Sequence, residues 1–173
     1  VQDRYQTPVR PTWVKAAAEQ LACPVIANGN VVNADTGLEL LNRTKAAGLM
    51  IGRGAIRNPW IFDQIRARQA ETPIPQPCGE DLLEYIEDLY HEIALESRDF
   101  NDNRHVQRMK KTMLYIVQGH GEILEQQMRR VQTSDDFFSI CRQHLLHREP
   151  LADVPPESSK LFCGFSELLP PIT

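Results

Sequence analysis

The strongest constraint on the fold is the stretch from Cys23 to Trp60, in which one pattern occurs twice. Short apolar runs at 24–27 and 49–51 each end in a glycine-bearing turn, and each turn leads into a helical pattern. An apolar run, a turn and a helix in repetition predict β/α units with a parallel sheet. Because neither run alternates with polar residues, we expect both strands to be covered on both faces.

The two turns, 28–30 and 52–54, predict an anion site. Glycine lets the backbone approach a ligand closely and adopt a positive φ. The N–H groups at a helix start favour an anion, and one extra helical turn fits between Gly54 and Asn58. Two such turns from consecutive strands match the phosphate grip of a (β/α)8 TIM barrel.

Composition excludes several other classes of protein. The chain has 173 residues, of which 42% are hydrophobic and 24% charged, as in ordinary globular proteins. Since it contains no apolar run of membrane-spanning length, we expect a cytoplasmic protein without a membrane partner. Its four cysteines form no CxxC pair, so we expect reduced thiols and no metal site. A net charge of −4 excludes a generally basic coat, so nucleic-acid binding requires a local basic patch.

Local signals divide the first part of the chain. Residues 1–10 are expected to be irregular, and a helix begins at Pro11. Asn33 is the predicted N-cap of the next helix, and Gly48 its predicted C-terminal stop. Asn58 and Pro59 are the predicted N-cap and first residue of the helix after the second turn.

The second part of the chain is predicted to be helical. Prolines make residues 71–79 a stiff connector between a region at 1–70 and a helical region at 80–148. Helices are expected over 80–97, 103–118, 122–130 and 134–147, with Thr133 in the cap of the last. The short loops between them predict a four-helix bundle. No fixed structure is expected for the tail, 149–173.

Two strands cannot close a barrel, which needs at least about 200 residues. The expected fold is therefore the C-terminal fragment of a TIM barrel followed by a four-helix-bundle domain. On this interpretation the chain is the C-terminal part of a longer protein.

A basic stripe lies on the second helix of the helical region. At 100° per residue, Arg104, Arg108, Lys111 and Tyr115 share one narrow face, opposite the apolar face that carries Val106, Met109, Met113, Ile116 and Val117. Arg129 and Arg130 could extend this stripe. It is a candidate contact for a phosphate backbone; a solvated helix face is the alternative.

Several segments together resemble the tRNA-dihydrouridine synthase family. Residues 24–30 and 48–62 are similar to its last two barrel strands, and read PVIANGN and GLMIGRGAIRNPWIF. Residues 104–116 and 128–130 resemble its C-terminal helical domain, and 4–13 the segment before these strands. The resemblance implies an FMN enzyme, driven by NADPH, that reduces tRNA uridines to 5,6-dihydrouridine, with the helical domain holding the tRNA.

The resemblance also implies roles for the residues of the two turns. Asn28, Gly29, Asn30, Gly52 and Arg53 would bind the FMN phosphate through backbone N–H groups and the Arg53 guanidinium. The family usually has Asp at the position of Asn30, and an Asn there keeps an acceptor but loses the charge. Tight turns without a ligand are the alternative.

The family's catalytic cysteine belongs to an earlier barrel loop, and no cysteine here stands in a matching motif. We therefore expect no catalytic residue in this chain, no activity of the chain alone and weak FMN binding. Cys23 and Cys141 are expected to be small buried side chains. Two other functions stay open: a non-catalytic tRNA-binding module, and another FMN- or phosphate-binding barrel oxidoreductase with a helical interaction domain.

Overall fold

The computed structural model of this chain describes residues 10–159 and 161. The expectations for residues 1–9 and for Cys163 lie outside the described residues. The described residues divide into two compact units. Unit 1 comprises residues 10–75 together with 153–159 and Leu161, and unit 2 comprises Gln76–Ala152.

Unit 1 contains the two β/α repeats. Its elements are α1 (Pro11–Gln20), β1 (Ile26–Asn28), α2 (Ala34–Thr44), β2 (Gly48–Met50), α3 (Arg53–Arg57) and α4 (Ile61–Gln69). The two strands pair in parallel, with Ile26 opposite Gly48 and Asn28 opposite Met50. The predicted parallel pair is confirmed, although each strand lies one or two residues away from its predicted bounds.

Only one face of the two-stranded sheet is covered within the described part of the chain. Ala27 is fully buried in a core with Leu40 of α2 and Ile61 of α4. On the opposite face, the side chains of Ile26 and Met50 are 56% and 49% exposed. The expectation of cover on both faces is therefore wrong here, because the helices of unit 1 pack against one side of the strands.

The helix boundaries of unit 1 test the predicted caps. Asn33 is the N-cap of α2, and its side chain accepts a hydrogen bond from the Thr36 N–H at 2.9 Å, as predicted. The predicted helix stop at Gly48 and the predicted N-cap at Asn58 are both wrong. Helix α2 ends at Thr44, where Lys45 takes the left-handed conformation with a φ of 56°, and Gly48 already belongs to β2.

The start of α4 also differs from the prediction. Its N-cap residue is Trp60, and no side chain caps it. The amide of Asn58 instead donates to Oε1 of Gln64 at 2.7 Å. Oδ1 of Asn58, the atom that would accept from a helix N–H, is buried and accepts no hydrogen bond from any described residue, so the predicted cap at Asn58 is wrong.

Unit 2 consists of four helices that contact one another. They are α5 (Gly79–Glu96), α6 (Asp102–Ile116), α7 (Glu122–Arg130) and α8 (Ser134–Leu145). Their shared core includes Ile86, Met109, Leu124 and Phe137, all fully buried. The hydroxyl of Thr133 accepts a hydrogen bond from the Asp136 N–H and caps α8, as predicted.

The two ends of unit 2 lie side by side. The N–H of Leu151 donates to the carbonyl of Pro77 at 2.9 Å, and Cys78 forms an antiparallel bridge with Pro150.

Across the described ranges, no helix combines the length and the apolar character needed to span a membrane.

Candidate cofactor and RNA sites

The two glycine turns leave the sheet at the same edge. Asn28 ends β1 directly opposite Met50, which ends β2, so both turns begin at the same level of the parallel pair. The following segments approach each other closely, since a Cβ placed on Gly54 would lie only 2.0 Å from the carbonyl oxygen of Val31. This contact between the backbones of the two turns allows no side chain at Gly54.

Glycine acts here through its size. The expected positive φ is not found, because Gly52 has a φ of −92° and the positive-φ glycines of the described residues are Gly119 and Gly121. A Cβ on Gly52 would meet no protein atom within 4 Å. Gly52 therefore borders open space, whereas Gly54 packs against backbone.

The candidate phosphate residues are distributed along this edge. Asn28 and Gly52 are exposed, Gly29 and Arg53 are half-buried, and Asn30 is buried. Helix α3 begins at Arg53, and no side chain caps its N-terminus at Gly52. The extra helical turn predicted between Gly54 and Asn58 is confirmed as α3.

A segment far along the chain supports the helices that follow these turns. The carboxylate of Asp153 accepts a hydrogen bond from Nδ2 of Asn33 at 2.7 Å, and its backbone carbonyl accepts one from the Arg57 guanidinium at 3.2 Å. Asp153 thus joins the start of α2 to the end of α3. Sequence reasoning missed this link and assigned the tail no fixed structure.

Arg57 is a buried cation, only 3% exposed. Burial lowers its pKa from 12.5 to about 10, and the nearby negative charge of Asp153 partly opposes that shift. A buried guanidinium is costly unless it is hydrogen-bonded and paired. The return of Asp153 to unit 1 therefore stabilises a charge at the end of α3, the helix that follows the second glycine turn.

The residues of the basic stripe on α6 have different contacts and exposures. Arg104 lies over the ring of Phe100, at 5.0 Å from the ring centroid. Arg108 donates to Glu96 at 3.0 Å and also contacts the hydroxyl of Ser97. Lys111 is exposed and Tyr115 is half-buried. The apolar residues predicted on the opposite face of the helix are all buried, as expected.

Helix α7 brings a second group of cations near the first. Arg129 and Lys111 line the same pocket between α6 and α7, and Arg129 also pairs with Glu125 at 3.7 Å. Arg130 is exposed at the end of α7. Sequence reasoning missed Lys110, whose ammonium donates to the backbone carbonyls of Arg129 at 2.7 Å and Val131 at 3.0 Å. The adjacent pair Lys110–Lys111 was the only sequence signal for it.

The cysteines occupy three different environments. Cys141 is buried, as expected, and burial raises the pKa of its thiol to about 12. Cys23 is exposed, so its predicted burial is wrong; it lies in the surface connection between α1 and β1. Cys78 is half-buried, and all three thiols are free. The described residues contain no cluster of three or more His, Cys, Asp or Glu side chains that could hold a metal ion.

Two parallel β/α repeats with glycine turns at one edge, followed by a helical unit with a basic helix, are compatible with part of a TIM-barrel protein that carries an added helical unit. The family model for dihydrouridine synthase (Dus) matches residues 1–149, and the chain belongs to this family. The resemblance seen in the sequence is thereby confirmed.

Individual relatives agree with this assignment. The chain is 32% identical over 138 residues to a protein of Rhodobacter capsulatus named "Probable tRNA-dihydrouridine synthase". The matched region covers 79% of this chain and 41% of the relative. It is 29% identical over 150 residues to a tRNA-dihydrouridine(16) synthase of Ralstonia nicotianae, covering 83% and 43%. It is 32% identical over 88 residues to tRNA-dihydrouridine synthase B of Pasteurella multocida, covering 48% and 26%. The chain therefore spans less than half the length of these relatives.

Proposed function

We propose that this chain supplies the phosphate-binding end of the barrel and the tRNA-binding helical domain of an FMN-dependent tRNA-dihydrouridine synthase. Two glycine turns that meet at one edge of a parallel sheet, in a member of this family, carry the proposal. The uncovered face with Ile26 and Met50 would then belong to the barrel interior, which side chains fill in a closed barrel. Helices α5 to α8 would form the predicted bundle.

The residues at the edge of the sheet fit a phosphate group. Gly52 borders open space, and no side chain competes for the start of α3. The acidic residue in the first turn of α2, Asp35, is paired with Arg68 at 2.9 Å, which offsets its charge. Backbone N–H groups at a turn and an arginine next to them are the usual donors to phosphate.

When bound, FMN would supply the hydride chemistry that reduces the C5–C6 double bond of uridine, with NADPH as the source of electrons. Residues of this chain would bind and orient the cofactor. The turn at 28–30 and the start of α3 would offer N–H groups to the phosphate. Arg53 would add a charge-assisted hydrogen bond, and Asn30 would shape the first turn. We assign no proton transfer to these residues.

The cations of α6 and α7 would hold the tRNA backbone. Arg104, Lys111 and Arg130 are exposed on the helical unit, and Arg108 and Arg129 each share their charge with one glutamate. Each lost phosphate contact lowers the salt dependence of binding by about 0.7–0.9 in the slope of log K against log salt. Replacing stripe cations should therefore reduce both affinity and slope.

The tRNA proposal is tested with Arg104→Ala combined with Arg108→Ala. We expect weaker tRNA binding and a smaller salt slope. Arg142→Ala combined with Arg148→Ala is the matched control, because both arginines are exposed, lie in the same unit and pair with one glutamate each. If the two double variants bind tRNA equally well, the stripe is only a solvated helix face.

The enzyme proposal is tested with a chimera. The part of the Ralstonia nicotianae relative that this chain does not cover is fused upstream of Val1. We expect the chimera to retain FMN, consume NADPH and form dihydrouridine in tRNA. A folded chimera that retains tRNA binding but neither holds FMN nor reduces uridine would favour the non-catalytic tRNA-binding module.

A further inference from the structure

A pocket lies between α6 and α7, and no ligand has yet been assigned to it. Its volume is about 290 Å³, near the lower limit of small-molecule sites, roughly 300 Å³. Met113, Val117 and Met128 form an apolar, buried floor. The pocket lies wholly within unit 2.

The walls and rim of the pocket combine apolar, amide and cationic groups. Leu114 is 38% exposed and forms an apolar wall, while Gln107 brings an exposed amide. Lys111 and Arg129 bring positive charge to the rim. Glu125 is the one carboxylate among the lining residues. It accepts a hydrogen bond from the side-chain amide of Gln118 at 3.3 Å and forms an ion pair with Arg129 at 3.7 Å. Its charge is therefore compensated within the pocket.

Lys110 holds the two walls together. Its ammonium donates to the carbonyls of Arg129 and Val131 at the end of α7, which orients that helix against α6. A cation at the C-terminal end of a helix also interacts favourably with the helix dipole. The two helices that form the pocket are thus held together before a ligand binds, which reduces the ordering that binding requires.

We propose that this pocket receives one unstacked base of the bound tRNA, with a neighbouring phosphate held by Lys111. Lys111 belongs both to the basic stripe and to the pocket rim, so the RNA backbone and the base could be bound together. Apolar side chains stack against the faces of an extruded base, and amide groups bond to its edge. This inference rests on the proposed tRNA-binding function.

Methionine methyl groups provide the test, because the chain has four methionines. Met113 and Met128 line the pocket. Met109 lies one turn earlier on the same buried face of α6 but does not line the pocket, and Met50 lies in unit 1. The chain is labelled with ¹³C-methyl methionine and titrated with a tRNA transcript. We expect the signals of Met113 and Met128 to shift through the ring current of the base, while those of Met109 and Met50 stay in place.

A short RNA duplex is the control ligand, since it offers phosphates but no unstacked base. Leu114→Trp should fill the pocket and weaken tRNA binding about tenfold, which corresponds to about 1.4 kcal/mol, while leaving the salt slope unchanged. Leu95→Trp on α5 is the matched control, because Leu95 is 42% exposed and does not line the pocket.

The outcomes separate this inference from the proposed function. If tRNA binds with the expected salt slope but Met113 and Met128 do not shift, or shift equally with the duplex, the base pocket is wrong and tRNA binding stands. If the unmodified chain does not bind tRNA at all, the proposed function fails and the inference fails with it. Should Leu114→Trp not fold, the methionine signals of the unmodified chain decide.

Discussion

The contact between the two glycine turns makes a sharp test of the candidate phosphate site. Gly54→Ala places a methyl group where the Val31 carbonyl oxygen would be only 2.0 Å away. Real Cβ contacts essentially never fall below 3.0 Å. The turns must therefore separate by roughly 1 Å or more, because a packed interior does not compress.

The size of the effect follows from this displacement. Overpacking of this kind costs about 1–3 kcal/mol in the free energy of unfolding. A shift of roughly 1 Å also misplaces the groups that would hold a phosphate, so their hydrogen bonds to it are lengthened or lost. We expect Gly54→Ala to lose both stability and FMN affinity.

Gly52→Ala separates binding from folding. The added methyl group meets no protein atom within 4 Å. Because Gly52 is the N-cap of α3, where Ala is less favourable than Gly, the free energy of unfolding should fall by no more than about 1 kcal/mol. If the FMN phosphate lies next to Gly52, the same methyl group occupies its space and FMN affinity falls. Gly48→Ala is the control, because it meets only the flexible end of Ile26, at 3.2 Å, and lies at the start of β2.

The assay uses the chimera, with urea unfolding for stability and quenching of FMN fluorescence for affinity. We expect Gly54→Ala to lose both stability and affinity, Gly52→Ala to lose mainly affinity, and Gly48→Ala to keep both. Unchanged FMN affinity in Gly52→Ala would refute the phosphate position. Unchanged stability in Gly54→Ala would refute the packing of the turns.

Three further predictions concern the supporting structure. Asp153→Ala should lower the free energy of unfolding of unit 1 by about 1.5–3 kcal/mol, the usual contribution of a hydrogen bond to a charged group. Hydrogen exchange in α2 and α3 should become faster. Glu157→Ala, which removes an exposed carboxylate, should have neither effect. Iodoacetamide should modify exposed Cys23 well before Cys141, since burial raises the pKa of the Cys141 thiol to about 12; peptide mass mapping of the labelled protein would show the reverse order if the burial is wrong. Hydrogen bonds from the hydroxyl and N–H of Ser134 lower the pKa of Asp102 below its ordinary 3.8, so this carboxylate contributes stability above that pH and loses it as the pH falls through the folded-state pKa. Thermal unfolding from about pH 5 to about pH 3 should therefore depend less on pH in Asp102→Asn than in Asp88→Asn, which alters an exposed carboxylate of α5.

Local chemistry explains which parts of this fold were predictable. The caps at Asn33 and Thr133 and the short helix α3 depend on residues three or four positions apart, so their signals are in the sequence itself. The end of α2 carried no such signal, because Lys45 takes a left-handed conformation that usually belongs to glycine.

Contacts between distant residues could not be predicted. Asp153 and Asn33 are 120 positions apart, and no periodicity links them. Helical spacing identified the cationic and apolar faces of α6, but it did not show that α7 lies beside Lys111 and forms a pocket with it. The apolar and polar faces of a helix can be predicted from its own sequence, whereas the helices that pack beside it depend on the fold of the whole chain.

The return of Asp153 to Asn33 and Arg57 has a consequence for biosynthesis. At about 5–20 residues per second, a ribosome needs on the order of ten seconds to pass from Pro75 to Asp153. During this time the nascent segment of unit 1 lacks Asp153, one of the partners of its buried arginine, while the helices of unit 2 emerge in sequence order and can fold locally. The link that Asp153 makes between α2 and α3 can therefore form only after translation has passed through the helical unit.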